Sequence, residues 1–374
     1  MLEHEYGQPC YVLANEKLKV SITVQGGHLR ASFPHRGGEA SPFFVAPWWN
    51  EARLGGEDHI TQVLRGDFFC LPFGANADPY QGVKYGVHGI TASGGWELAS
   101  RREEGEEREL TLSLPAYGGE VRKRVRLDPE AAVLYCEHRI AGVNGRLPGG
   151  HHAVLQFPEA EGSGHIDLSE PLAGFTFPQR LEDPAGRGYS LLQPNVEIKD
   201  RTRVPTVYGD TLDLTRYPLR YGHEDVVQFV SDTSREFCFS SVTFPGEGYL
   251  FFQLKDPRVL SSTLLWRSNG GRHYAPWSGR VRGALGLEEV TSYFAYGPKQ
   301  SAEPNPLSKR GWRTCLELSR EKPTEVRLIM GLAAVPAGFT GVRDITREGR
   351  AVLIHGKGGE KLRVPCSVDF LTRG

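Results

Sequence analysis

Apolar and polar residues alternate along most of this chain with a period of two. "KLKVSITVQG", "ELTLSLPAYG", "EVRKRVRLD", "AVLYCEHRIAG", "HAVLQFP", "GYLFFQLKD", "STLLWRS", "VTSYFAYG", "TEVRLIMGL" and "RAVLIHG" each alternate or run apolar for four to eight residues. Gly, Pro, Asn or Asp bound them, as expected for antiparallel strands joined by turns. Charged residues occupy many of the off beats, so one face of each strand is expected to meet solvent. No window of twelve residues holds a capped 3.6-residue period. Helical turns are expected only near 47–64 ("PWWNEARLGGEDHITQVL") and 301–312. The pattern predicts an all-β chain, a large antiparallel sandwich. No fixed-period repeat and no Pro- or Ser-rich linker divides it, so one domain over 1–374 is expected, with 336–374 adding a further hairpin or two to the same body.

Composition narrows the function. The 374 residues carry 45 Gly and 25 Pro, in keeping with many turns, and a formal net charge of −1. The longest one-sign runs are short, as in "RKRVR" (122–126). Nucleic acid and anionic membrane are therefore excluded as expected partners. "MLEHEYGQPC" has no basic or apolar leader character, and no apolar run is long enough to span a bilayer. The six cysteines are scattered singletons without a CxxC pair. Together these features predict a cytoplasmic protein with reduced, buried thiols.

The common motifs of nucleotide, zinc-protease and serine-hydrolase chemistry are absent. "HGKGGEK" (355–361) lies between two strands and reads as a hairpin turn rather than a phosphate cradle. His151 and His152 are neighbours, so on a strand they face opposite sides and cannot together ligate one metal. No metal or other cofactor is expected.

Three segments stand in order: "LRGDFFCLPFGANADPYQGVKYGVHGITASGGWEL" (64–98), "NGRLPGGHHAVLQFP" (144–158) and "GRVRGALGLEEVTSYF" (279–294). They resemble the galactose mutarotase-like (aldose 1-epimerase) superfamily over roughly residues 10–335. "HGITASGGWEL" is similar to the family's first histidine motif, "HHAVLQF" to the second, and "GLEEVT" to the late glutamate motif. The chain departs from the pattern in three places. Ala77 stands where an Arg usually follows the Asn, Val154–Leu155 replaces an aromatic pair, and Glu289 replaces a Pro.

The resemblance implies a β-supersandwich with a cleft for a small-molecule sugar, and interconversion of its anomers by ring opening. That chemistry needs a base for the anomeric hydroxyl and an acid for the ring oxygen, on opposite sides of the C1–O5 bond, and no cofactor. By the match Glu288 is the base and His152 the acid, with Glu289 and His151 as rivals for those roles. His88 positions a sugar hydroxyl, and Asn76, in the turn beside it, is a further implied substrate contact. Arg65 resembles the arginine of the hexose-phosphate branch and implies a sugar phosphate. Asp225 resembles an aspartate that contacts a hydroxyl. "WRSNGGRH" adds Trp266, Arg267, Asn269, Arg272 and His273 as candidate contacts, while Trp48, Trp49 and Trp277 fit either the cleft or the core. The alternative on the same fold is a non-catalytic carbohydrate-binding or sugar-sensing protein. A lyase or hydrolase is a third reading, disfavoured because no helical or second catalytic domain is encoded.

Overall fold

Strand follows strand through the computed structural model, which describes residues 2–51 and 59–372. One sheet has eleven strands. Its central run is Leu29–His35, Asp67–Cys70, Gly149–Gln156, Ala284–Thr291, Ser262–Asn269 and His223–Val230, all antiparallel neighbours. A second sheet has nine strands, with Tyr249–Lys255, Thr324–Ala334, Val133–Ala141 and Gly119–Leu127 at its middle. The two pack face to face. Val20, Ile22, Leu29, Phe69, Leu155, Leu285 and Leu287 of the first bury against Leu112, Val125, Leu134, Val242, Phe251 and Leu328 of the second.

Both faces of the first sheet's centre are covered. The strands Gly149–Gln156, Ser262–Asn269 and Ala284–Thr291 are buried almost throughout, so their alternation does not separate solvent from core. The outer face packs under Trp48, Phe73, Phe177, Trp277 and Phe294, contributed by the connecting segments. Among the described residues, those segments hold both α-helical turns. His59–Val63 falls inside the expected 47–64 turn, of which 52–58 lie outside the described residues. Pro298–Ala302 overlaps the start of the second expected stretch, 301–312, and the 3-10 turn Ser308–Arg310 lies inside it.

After the sandwich the chain forms a separate three-stranded sheet, Val342–Glu348, Ala351–Gly356 and Lys361–Pro365. Residues 357–360 make the turn between the last two, as "HGKGGEK" implied. Val342, Ile345, Val352 and Ile354 pack on Tyr135, Phe252 and Ile329 of the nine-stranded sheet's outer side. All six cysteines are buried free thiols. Among the described residues, no helix is long and apolar enough to cross a membrane.

Candidate active site

A cavity of about 680 Å³ opens on the outer face of the eleven-stranded sheet. Its floor is a row set by strand register. Phe68 lies opposite His152, and His152 lies opposite Glu288. Cross-strand partners on one face are neighbours, so the two functional groups meet. His152 Nε2 stands 3.2 Å from Glu288 Oε1, with both residues at most 5% exposed. The two residues that the resemblance implies as base and acid are therefore in contact with each other, not set apart across the space for a ligand.

Burial sets the protonation of this pair. It pushes the Glu288 carboxyl well above the usual carboxylate range. Burial, reinforced by His88 and His28, holds His152 well below the ordinary histidine value. Each shift favours the neutral form, so the resting pair is a carboxylic acid beside an imidazole, sharing one dissociable proton. Phe68 fixes the imidazole plane. Its ring stacks on His152 at 4.5 Å and on His28 at 4.4 Å. Gly286 makes room for the carboxyl, because a Cβ there would sit 2.4 Å from Glu288 Oε1 and 2.9 Å from the Trp266 Cβ.

His88 enters from the loop above, its ring 4.9 Å from that of His152 and nearly perpendicular to it. Its Nδ1 accepts from the Gly74 backbone N–H at 3.3 Å, which leaves the proton on Nε2. Burial, then Arg272, lowers its pKa to about 3, so it is a neutral donor. Gly89 has φ +77°, and a Cβ there would sit 1.9 Å from the Leu71 carbonyl oxygen. The close approach that requires glycine is thus to protein backbone. At Gly86 a Cβ would meet nothing.

One cation reaches the cavity among its described lining residues. Arg272 pairs with Glu182 at 2.7 Å and with Glu224 at 3.4 Å, and lies over the Trp277 and Trp266 rings. Glu224 also accepts from Trp266 Nε1 at 2.6 Å and Ser268 Oγ at 3.0 Å. Burial raises its pKa to about 7, against the pull of Arg272. Phe177, Trp277 and Tyr296 form apolar walls, while Gln179, Asp78 and Gln300 supply polar edges.

The structure brings His88, His152, Glu288 and Trp266 together on this cavity, with Arg272 beside them. It does not bring Arg65, Asn76, Asp225 or Arg267 to the lining. Arg65 is 2% exposed and spends its guanidinium on the carbonyls of Val63, Glu5 and Tyr6, so it holds the N-terminal strand rather than an anion. Asn76 ties its own loop together, donating to Pro72 O and Gly86 O, while its neighbours Ala75 and Ala77 line the cavity. Asp225 and Arg267 are strand partners one residue out of phase with the cavity-facing Val226 and Trp266. They point between the sheets, where Asp225 accepts from the Leu191 and Leu192 amides and Arg267 covers Tyr217. His151 and Glu289 likewise face inward, against Asp67 and Lys255. Glu224 and Gly286 went unnoticed in the sequence, although each lies two residues from a cavity residue on its strand. Gln179 and Gln300 carry no local signal.

No family profile matches the sequence, and no curated protein is detectably similar to it. Solved structures are. A candidate aldose 1-epimerase from Escherichia coli K12 superposes with TM-score 0.56 at 16% identity, over 88% of this chain and 100% of that one. A galactose mutarotase related enzyme from Lactobacillus acidophilus gives 0.56 at 12%, over 87% and 98%. A galactose mutarotase-like protein from Clostridium acetobutylicum gives 0.57 at 10%, over 90% and 98%. The likeness is one of fold: this chain has the antiparallel β-sandwich of the galactose mutarotase-like proteins.

Proposed function

We propose that the chain is an aldose mutarotase acting on a neutral sugar, with Glu288 and His152 as its acid–base couple. The observation that carries this reading is the 3.2 Å contact between their side chains on the floor of a sugar-sized cavity. The two oxygens that exchange protons in anomerisation, the anomeric hydroxyl and the ring oxygen, are bonded to one carbon. Two catalytic groups that touch each other can therefore serve both. One partner removes the hydroxyl proton while the other protonates the ring oxygen, the C1–O5 bond breaks, and an open-chain aldehyde forms. Rotation about C1–C2 exposes the other carbonyl face, and closure runs the same transfers backwards. The shared proton makes Glu288 the base when it resides on His152 and the acid when it resides on Glu288, so one couple drives both directions. His88 Nε2–H holds a ring hydroxyl, and Trp266 or Trp277 meets an apolar sugar face.

A neutral substrate follows from charge. Arg272 is already matched by two carboxylates, and Arg65 lies elsewhere, which leaves no free cation among the described lining residues to take a phosphate. One observation favours the non-catalytic alternative, a carbohydrate-binding protein: Ala77 lines the cavity where the family carries Arg. Exchange NMR between the α and β anomers of common hexoses and pentoses separates the two. The expected result is enzyme-dependent exchange that Glu288→Gln lowers by about 10²–10⁴-fold, while calorimetry shows the sugar still binds. Binding without exchange in the unmutated protein selects the binding-protein reading, and exchange undiminished in Glu288→Gln overturns the proposed couple.

A further inference from the structure

The floor strand carries chemistry on both faces. On its inner face His151 meets two residues of the opposite sheet, Cys136 and His138, which stand two apart on Val133–Ala141 and so share its inner side. None of the three has measurable exposure. The Cys136 sulfur and one ring nitrogen of each histidine lie within 4.8 Å of one another.

These groups lack the partners that buried polar atoms ordinarily find. Among the described residues, neither ring nitrogen of His138 makes a hydrogen bond, and nor does His151 Nε2. The tautomer of His151 is fixed from behind. Asp67 Oδ2 lies 2.9 Å from His151 Nδ1 and accepts its proton, so Nε2 presents a bare lone pair. A carboxylate behind an imidazole is the arrangement that orients metal-ligating histidines and raises their basicity.

We propose that Cys136, His138 and His151 form a buried structural site for a closed-shell, thiophilic metal ion, Cu⁺ or Zn²⁺, that pins the two sheets together. Three atoms within 4.8 Å of one another all lie within about 2.8 Å of a common point. Metal–sulfur and metal–nitrogen bonds need about 2.3 and 2.0 Å, so small side-chain rotations close the site. Thiolate with two imidazoles is a donor set that such ions take in preference to oxygen-loving cations. The ligand count ranks Cu⁺ first. Three donors satisfy it, whereas structural zinc takes four. Lys123, directly across from His138 on the adjoining strand and donating to the Gly27 carbonyl, also disfavours a second positive charge on the ion. Binding exchanges the Cys136 S–H bond for a metal–sulfur bond and releases the proton to solvent. The site lies across the sheet from the cavity and stands or falls independently of the proposed mutarotase activity.

The test uses the full chain, purified reduced and metal-free. It is incubated anaerobically with Cu⁺ or with Zn²⁺, desalted, and assayed for metal by mass spectrometry and for ligands by X-ray absorption. The expected result is one ion retained per chain in a shell of one sulfur and two nitrogens, with a raised melting temperature. Cys136→Ala should lose both the ion and the rise in melting temperature, while Cys366→Ala, distant in the C-terminal core, should keep them. Retention of Zn²⁺ alone keeps the site and reverses the ranking of the ions. Failure to retain either ion, or equal retention by Cys136→Ala, overturns the proposal.

Discussion

Gly286→Ala adds one methyl group at the point where the floor of the cavity has no room for it. The new Cβ would lie 2.4 Å from Glu288 Oε1, 3.3 Å from Glu288 Cδ and 2.9 Å from the Trp266 Cβ, against an ordinary contact of 3.4–4 Å. The Trp266 Cβ is anchored to a central strand, so the flexible carboxyl must give way, by about 1 Å. That retreat breaks its 3.2 Å approach to His152. Misplacing a catalytic group by this much costs about 10²-fold in rate. The effect on stability is smaller. Crowding costs about 1–3 kcal/mol, offset in part by about 0.5 kcal/mol from the stiffer unfolded chain. Anomer-exchange NMR across sugar concentrations, with circular dichroism melting in parallel, separates the two effects. The expected outcome is kcat lowered about a hundredfold, KM little changed, and a chain still folded at the assay temperature. A folded Gly286→Ala protein with undiminished kcat would refute the claim that the carboxyl must sit where glycine lets it.

Other outcomes follow from the same geometry. His88→Ala should raise KM and lower turnover roughly ten- to a thousandfold without abolishing exchange, since it removes a positioning hydrogen bond and not the proton couple; complete loss would make His88 part of the couple. Arg65→Ala should lower the melting temperature, with about 3 kcal/mol or more lost from three orphaned carbonyls, and should weaken neutral and phosphorylated sugars alike; selective loss of phosphorylated ligands would restore an anion-binding role. Asp225 gives a pH signature. Burial raises its pKa from 3.8 to about 7 in the folded chain, so its contribution is full below the ordinary value and is lost as pH rises through about 7. Asp225→Asn, which keeps an acceptor for the Leu191 and Leu192 amides, should flatten the fall in melting temperature between about pH 4 and 7, and an unchanged slope would show the carboxyl does not titrate there.

The strands were legible because their period of two survives burial, and the order of the three motifs pointed to His88, His152 and Glu288 before any geometry was known. Facing was harder to see. "GGHHAVLQF" and "GLEEVT" lie in strands covered on both sides, so alternation separates neighbours without saying which neighbour faces the cavity. The same ambiguity led to Asp225 and Arg267, whose neighbours Glu224 and Trp266 take the cavity face. Trp266 and Arg267 are adjacent on one strand, and only one of them can point there. Arg65 misled for another reason: its three carbonyl partners include the N-terminal strand, some 60 residues away, and no local pattern announces such a contact. Arg272 reaches the cavity through a loop whose course depends on Glu182 and Glu224, both distant in sequence.

The doubled "HH" opposite the doubled "EE" poses a question for the folding chain. Slide or flip the two floor strands together by one position, and His151 with Glu289 would rebuild an outwardly similar couple on the cavity face. The local code is therefore nearly degenerate, and the discrimination comes from the hidden side. In the native arrangement Glu289 meets Lys255 and Thr263, and His151 meets Asp67. In the slipped arrangement Asp67 would meet His152 and Lys255 would meet Glu288, the same two kinds of pair, so charge alone does not tell the arrangements apart. Size breaks the tie: Leu285 and Leu287 fill the space between the sheets while Ala284 and Gly286 take the cavity face, so the slipped arrangement would set leucines where glycine leaves room for a carboxyl, and the outward-facing chemistry inherits its uniqueness from residues that no ligand in the cavity touches.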